Sequence, residues 1–233
     1  HLPLGGIERP PGAGNCASRL FPDAGIAVMT CGGNHALVDA GPFGALNSGH
    51  SHSDTLSIIL SSGDDEILID PGTYTYTGDP KWRDWFRGSR AHNTICIDGL
   101  DQAVMAGPFR WNNPPAVRVL DWKTNSARDV LEAECRYAGF THRRRVEFQK
   151  PGTFLISDHV EGPPGEHDIE QFWHLGSLAA RSQVILPADA ELTTSWHSTT
   201  FGEKHASPML RVHRRAPLPL CLETRIILNR APE

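Results

Sequence analysis

Apolar and β-branched residues come in short runs along this chain, many alternating with polar ones and most bounded by Gly, Pro, Asn or Asp. Such runs fall at 26–31, 35–38, 56–60, 67–69, 94–97, 116–121, 130–137, 143–148, 153–158, 169–174, 191–195, 209–213 and 222–228. Their length and period suit strands that bury one face. The first two flank Gly32-Gly33-Asn34, a hairpin signal. The stretches 56–60 and 67–69 are joined by a polar segment, and Asp70-Pro71-Gly72 stops the second sharply. One patch has helical spacing instead. Trp82, Trp85 and Phe86 recur at i, i+3 and i+4, with Arg83, Arg87 and Arg90 interleaved, which predicts a short helix with an aromatic face. So many short strands with so little helix predict an all-β fold, a multi-stranded antiparallel β-sandwich. Residues 1–24, rich in Pro and Gly, read as an irregular lead-in, and 25–233 as a single sandwich domain.

Composition narrows the partners. The chain has 233 residues, of which 39% are hydrophobic and 21% charged, so global disorder is excluded. Against 27 acidic residues stand 22 Lys and Arg, a net charge of −5. That balance argues against nucleic acid and against a polyanion held by bulk charge, while a local basic cluster can still hold an acidic sugar. No apolar run approaches the ~18 residues of a membrane span. Five cysteines, an odd and irregular set without CxxC, predict buried free thiols rather than a disulfide framework, and leave the compartment open. The chain starts at His1, not Met, which suggests a piece of a longer protein.

The sharpest chemical feature is Gly49-His50-Ser51-His52-Ser53-Asp54. In an extended segment His50 and His52 share a face and Ser51 points away, so geometry alone lets both imidazoles bind one ion. Asp70 closes a strand, and His92, in Ala91-His92-Asn93-Thr94, opens another. Two imidazoles and a carboxylate from separate strand ends make a three-ligand zinc set, His52, Asp70 and His92, with a fourth position open. Taken singly, Asp70 reads as a turn cap and His92 as a hydrogen-bonded core histidine. His174 reads as a satisfied core residue, the basic run 142–145 as a solvated face, Trp82, Trp85 and Phe86 as a packing face, and His197, His205 and His213 as surface or strand positions.

The run from Gly49 to Asp101 closely resembles the C-terminal domain of heparinase II/III-like polysaccharide lyases. It has, in order, a GHxHxD segment, a strand pair ending in DxG, a stretch rich in Tyr and Arg, and AHNT before a strand. A looser likeness continues through 21–25, 142–145 and 171–174. The resemblance implies a β-sandwich that works beside an N-terminal α/α toroid. The implied reaction is β-elimination on a uronic-acid-containing polysaccharide, in a periplasmic or secreted protein. It gives His50 to the substrate cleft, and His52, Asp70 and His92 to a structural zinc. Tyr74, Tyr76, Arg87 and Arg90 become sugar contacts. The toroid would supply further catalytic groups, so the isolated domain is expected to be inactive. An alternative is an inactive carbohydrate-binding or assembly module of the same fold. The HxHxD segment is also similar to that of metallo-β-lactamase-type hydrolases, but their sixth position is His where this chain has Thr55, and the helical crossovers of that fold are missing.

Overall fold

The computed structural model describes residues 16–228. It is 53% strand and 8% helix, the sandwich that the alternation predicts. Five consecutive antiparallel strands form one sheet: Arg19–Phe21, Ile26–Cys31, Asn34–Asp39, Ile58–Ser62 and Asp65–Leu68. A four-stranded sheet runs Glu191–His197, His205–Pro217, Glu166–His174 and Ile95–Ile97. The bridge between Leu68 and Leu175 joins these two sheets edge to edge. The other layer has six strands in the order Val184–Ile185, Leu220–Ile227, Thr153–Glu161, Phe140–Gln149, Arg128–Tyr137 and Ala116–Thr124.

All three sheets contribute to one core. Met29 and Val38, Phe148, Phe154 and Ile156, and Trp173, Leu210 and Val212 belong to the same buried cluster. Burying these faces together supplies the main stabilisation, at about 25 cal/mol per Å² of apolar surface removed from water.

Several findings differ from the expectations. The expected lead-in contributes an edge strand, Arg19–Phe21, while residues 1–15 lie outside the described set. Cys16 and Cys31 form a disulfide, so the expectation of only free thiols fails. The reason is register. Arg19 faces Val28 and Phe21 faces Ile26, and the same ladder extended by three residues sets Cys16 opposite Cys31. Cys96 and Cys135 are the buried free thiols, and Cys221 is exposed.

The run 142–145 is not one solvated face. On strand Phe140–Gln149 the alternation buries Phe140, His142, Arg144, Val146 and Phe148 and turns Arg143 and Arg145 outward. Arg144 lies opposite Asp158 on the neighbouring strand and donates to it from Nε (2.7 Å) and Nη2 (2.8 Å). His142 reaches the same carboxylate at 2.6 Å, and Gln171 Nε2 donates to it at 2.7 Å. A charge so deep is tolerable only when paired and fully hydrogen-bonded.

The aromatic patch is a helix, Pro80–Arg87. Asp79 caps it, its Oδ1 accepting from the amides of Lys81 and Trp82, with Pro80 in the first turn.

Candidate active site and metal centre

Four loops at strand and helix ends converge. The segment 49–57 is irregular, not extended, so the two histidines do not share a face as a strand would have them. The His50 ring meets Tyr76 (centroids 5.7 Å) and Phe109 (5.8 Å) and is exposed. The His52 ring is half-buried against His92, at 5.2 Å. Hydrogen bonds fix this parting. The Trp111 indole N–H donates to Ser51 O (2.8 Å), and Ser53 N to Arg87 O (2.8 Å). Ser53 Oγ accepts from Gln102 N, and the Gln102 side chain both accepts from Thr55 N and donates to Thr55 O.

Asn93 ties the other loops together. Its Nδ2 donates to Ile58 O (2.8 Å) and Ile69 O (2.9 Å), and its Oδ1 accepts from His174 N (2.6 Å). The Asn of AHNT thus sets the backbone beside both Asp70 and His92. Arg144 reaches across from the opposite layer, donating from Nη1 to Leu56 O and Asn93 O, each at 2.6 Å. Leu56 sits at φ 66°, a left-handed conformation costly for a bulky residue, and its amide is bonded to Asp39 O at 2.7 Å. Gly72, at φ +75°, is the DxG glycine of necessity, because a Cβ there would lie 2.3 Å from Ser198 O.

Asp70 Oδ2 accepts from His92 Nδ1 at 2.7 Å, and its Oδ1 from Gly72 N at 2.9 Å. Burial would raise the Asp70 carboxyl, but His92 and these hydrogen bonds outweigh it and bring it down to about 2. Burial lowers His52 to about 4, helped by the charge of His92 and opposed by Asp54 and Asp70, so His52 is neutral at physiological pH. Burial would also lower His92, yet Asp70 prevails and raises it. Asp39 is pushed up to about 7 by burial and by the nearby Asp54.

The donor set suits a metal. One ligand atom each from His52, Asp54 and His92 lies within 4.8 Å of the others. His92 is completely buried, and among the described residues its Nε2 has no hydrogen-bond partner. An imidazole held through Nδ1 by a carboxylate, with Nε2 unpartnered, is the arrangement of an oriented metal ligand. The expected set therefore comes together in part. His52 and His92 adjoin, while Asp70 is fastened to the other ring nitrogen of His92. Asp54, part of the GHSHSD motif but given no role from sequence, is the carboxylate grouped with the two imidazoles.

Beside this centre is a cavity of about 340 Å³, whose lining includes Asp39, His50, His52, Asp54 and Tyr76. His50, Tyr76 and Arg87 line an adjoining constriction with Arg83. Of two larger hollows, that of about 500 Å³ reaches Asp70 from the other side, beside His35 and His197, and that of about 680 Å³ is lined mainly by residues of the six-stranded sheet. Tyr74 packs on Phe86 and Trp82 at 5.9 and 6.3 Å, next to the cleft rather than in it. Arg90 turns to Glu170, donating from Nη2 at 2.6 Å, and lines neither space. His174 is buried, with Nε2 bonded to Arg90 O at 3.1 Å and Nδ1 unpartnered.

Known proteins share this architecture. The heparan sulfate lyase HepC from Pedobacter heparinus superposes with a TM-score of 0.75 at 19% identity, over 95% of this chain and 38% of that one. A structure described as heparinase III superposes with a TM-score of 0.74 at 18% identity, over 92% of this chain and 37% of that one. The chain thus spans less than two-fifths of the length of these structures. No curated protein matches it in sequence. The family described as heparinase II/III-like, C-terminal, matches residues 13–199. From that match, and from the sandwich that carries it, the chain belongs to the heparinase II/III-like family as its C-terminal domain.

Proposed function

We propose that this domain forms one wall of the active site of a polysaccharide lyase, one that cleaves a uronic-acid-containing polymer by β-elimination. The carrying observation is the parting of the two histidines: His50 is exposed at the cleft with Tyr76, while His52 turns to His92. In such a reaction the C5 proton is only weakly acidic, being α to the uronate carboxylate. Positive charge or hydrogen-bond donors must neutralise that carboxylate as the proton leaves. A base removes the proton, and an acid protonates the departing glycosidic oxygen. His50 contacts the uronate or its C5 proton. Tyr76 and Arg87, which line the same space, bind the sugar, with Tyr74 and Arg90 as outer contacts.

Zinc is the metal that the donor set fits, held by His52, His92 and Asp54, with Asp70 orienting the His92 ring through Nδ1. When bound, it supplies a fixed charge that braces the cleft loops. An N-terminal α/α toroid is the proposed partner domain, and an acidic polysaccharide the substrate. A periplasmic or secreted location agrees with the Cys16–Cys31 disulfide, since such bonds persist in oxidising compartments. Among the described residues no helix is long and apolar enough to cross a membrane.

The test uses the whole gene product, a panel of polyuronides and the absorbance of the unsaturated product. His50→Ala should abolish most activity yet keep zinc content and melting temperature. His52→Ala and His92→Ala should lower zinc content and melting temperature together, because metal binding adds to folding energy. Loss of zinc in His50→Ala, or full zinc in His92→Ala, would overturn the division.

A further inference from the structure

Among the described residues Lys204 is a cation without a counter-charge. Its Nζ stands 4.2 Å from the ring centre of Tyr74, 4.3 Å from that of Trp82 and 5.7 Å from that of Trp196. Among the described residues no carboxylate pairs with it. Nearby arginines behave differently: Arg83 and Arg87 pair with Asp84, and Arg90 and Arg211 with Glu170. The electron-rich ring faces attract the ammonium and fix its position. They provide no hydrogen-bond acceptor of carboxylate strength, so its N–H groups remain available on the open side.

This cage is fastened to the cleft. Ser198 N donates to Pro71 O (2.8 Å), Ser198 Oγ to Thr73 O (3.2 Å), and Gly202 N to Tyr74 O (2.9 Å). These bonds hold the segment before Lys204 along the DxG loop. Phe201, 61% exposed, packs on Tyr76 at 5.6 Å, and Tyr76 packs on His50. Phe201 thus extends the ring surface at His50, three residues before Lys204 in the chain, and Gly202 between them is bonded to Tyr74 of the cage. Apolar faces beside a fixed positive charge suit a ring that is apolar on its C–H face and anionic at its edge.

We propose that Lys204, seated on Tyr74, Trp82 and Trp196, is a specificity subsite for the anionic substituent, carboxylate or sulfate, of a sugar neighbouring the one at His50. This rests on the lyase reading above and adds to it a residue that selects charged over neutral polymer. Ring faces rather than a carboxylate hold the ammonium, so binding an anion there breaks no ion pair.

Titration calorimetry on the whole gene product tests this with three tetrasaccharides: an unsulfated uronate–N-acetylglucosamine repeat, its N-sulfated counterpart, and the carboxyl-reduced, neutral form of the N-acetylated one. Lys204→Met keeps the stem over the rings and removes the charge. It should weaken binding of a charged probe about tenfold or more, the scale of one charge-assisted hydrogen bond, and leave the neutral probe unchanged. Lys204→Arg should restore the charged probe. Equal loss for both charged probes assigns the carboxylate, and loss for the N-sulfated probe alone assigns the sulfate. Unchanged binding of the charged probes by Lys204→Met, or equal loss of the neutral one, overturns the subsite while leaving the lyase reading intact. Failure of the parent protein to bind any charged probe overturns the lyase reading and the subsite with it.

Discussion

Asn93→Ala removes the side chain that joins three parts of the site. Asn93 is 1% exposed, so water cannot replace what it provides. Its amide orientation is unambiguous: two backbone carbonyls, of Ile58 and Ile69, face Nδ2, and one backbone N–H, of His174, faces Oδ1. Truncation leaves all three backbone groups short of a partner in the interior. A buried polar group left unsatisfied costs about 1–3 kcal/mol. The N–H of His174 suffers most, since it has one proton to give, whereas a carbonyl retains a second lone pair. The sum is about 3–5 kcal/mol, a large part of the ~5–15 kcal/mol of a typical domain. Urea unfolding followed by tryptophan fluorescence measures it as a lower midpoint at unchanged slope. Asn93→Asp is the sharper variant, for it keeps the acceptor for His174 N and sets a carboxylate oxygen against two carbonyls. It should be no more stable than Asn93→Ala at neutral pH, and should recover part of the loss in acid, where the protonated carboxyl regains a donor. An Asn93→Ala loss below about 1 kcal/mol would refute the reasoning.

Two further outcomes follow from groups away from Asn93. The Asp39 carboxyl is raised from 3.8 to about 7, so between those values the folded chain holds a proton that the unfolded chain has released. With metal chelated, stability should therefore fall as pH rises from about 4 to about 7, by up to about 1.4 kcal/mol per unit, and level off above. Asp39→Asn should flatten that slope in pH-dependent unfolding, and an unchanged slope would count against the assignment. Cys16→Ser opens a loop of sequence separation 15, worth ~3 kcal/mol in chain-entropy terms. Its thermal midpoint should drop and become insensitive to reductant, while the parent falls to the same value when reduced. A parent melt indifferent to reductant would contradict the bond.

Much of this molecule is legible in its sequence where local rules act alone. Gly32-Gly33 marks the hairpin that pairs Ile26–Cys31 with Asn34–Asp39, and the aromatic triplet marks the helix Pro80–Arg87. What stays hidden depends on which strand lies beside which. The Arg144–Asp158 pair needs two strands in one register, yet each strand carries a hint: Arg144 alternates with Val146 and Phe148, and Asp158 with Phe154 and Ile156. A charge in phase with apolar neighbours is a charge facing the core. The disulfide hides behind the same register problem. For the site, the motif residues come together in part: His50 and His52 line the cleft, His92 adjoins His52, and Asp70 binds the far nitrogen of the His92 ring. The motif does not separate Asp54 from Asp70, because their relation to the His92 ring is set by how the loops turn. Lys204 carries no sequence signal, since its cage joins two distant segments, 74–82 and 196–204.

The reach of Arg144 has a further consequence. Its guanidinium is rooted in the six-stranded layer and holds Leu56 O and Asn93 O, at the exits of the two histidine loops. Those loops therefore cannot peel away as an independent unit, because releasing them strands a charge between the layers. Partial opening at the cleft becomes nearly as rare as opening of the whole sandwich. A polymer then meets a rigid wall that spends little ordering entropy on binding, and any adjustment to different sugars falls to the exposed rings at the rim. Replacements far inside the sandwich will reach the cleft through this one side chain without touching it.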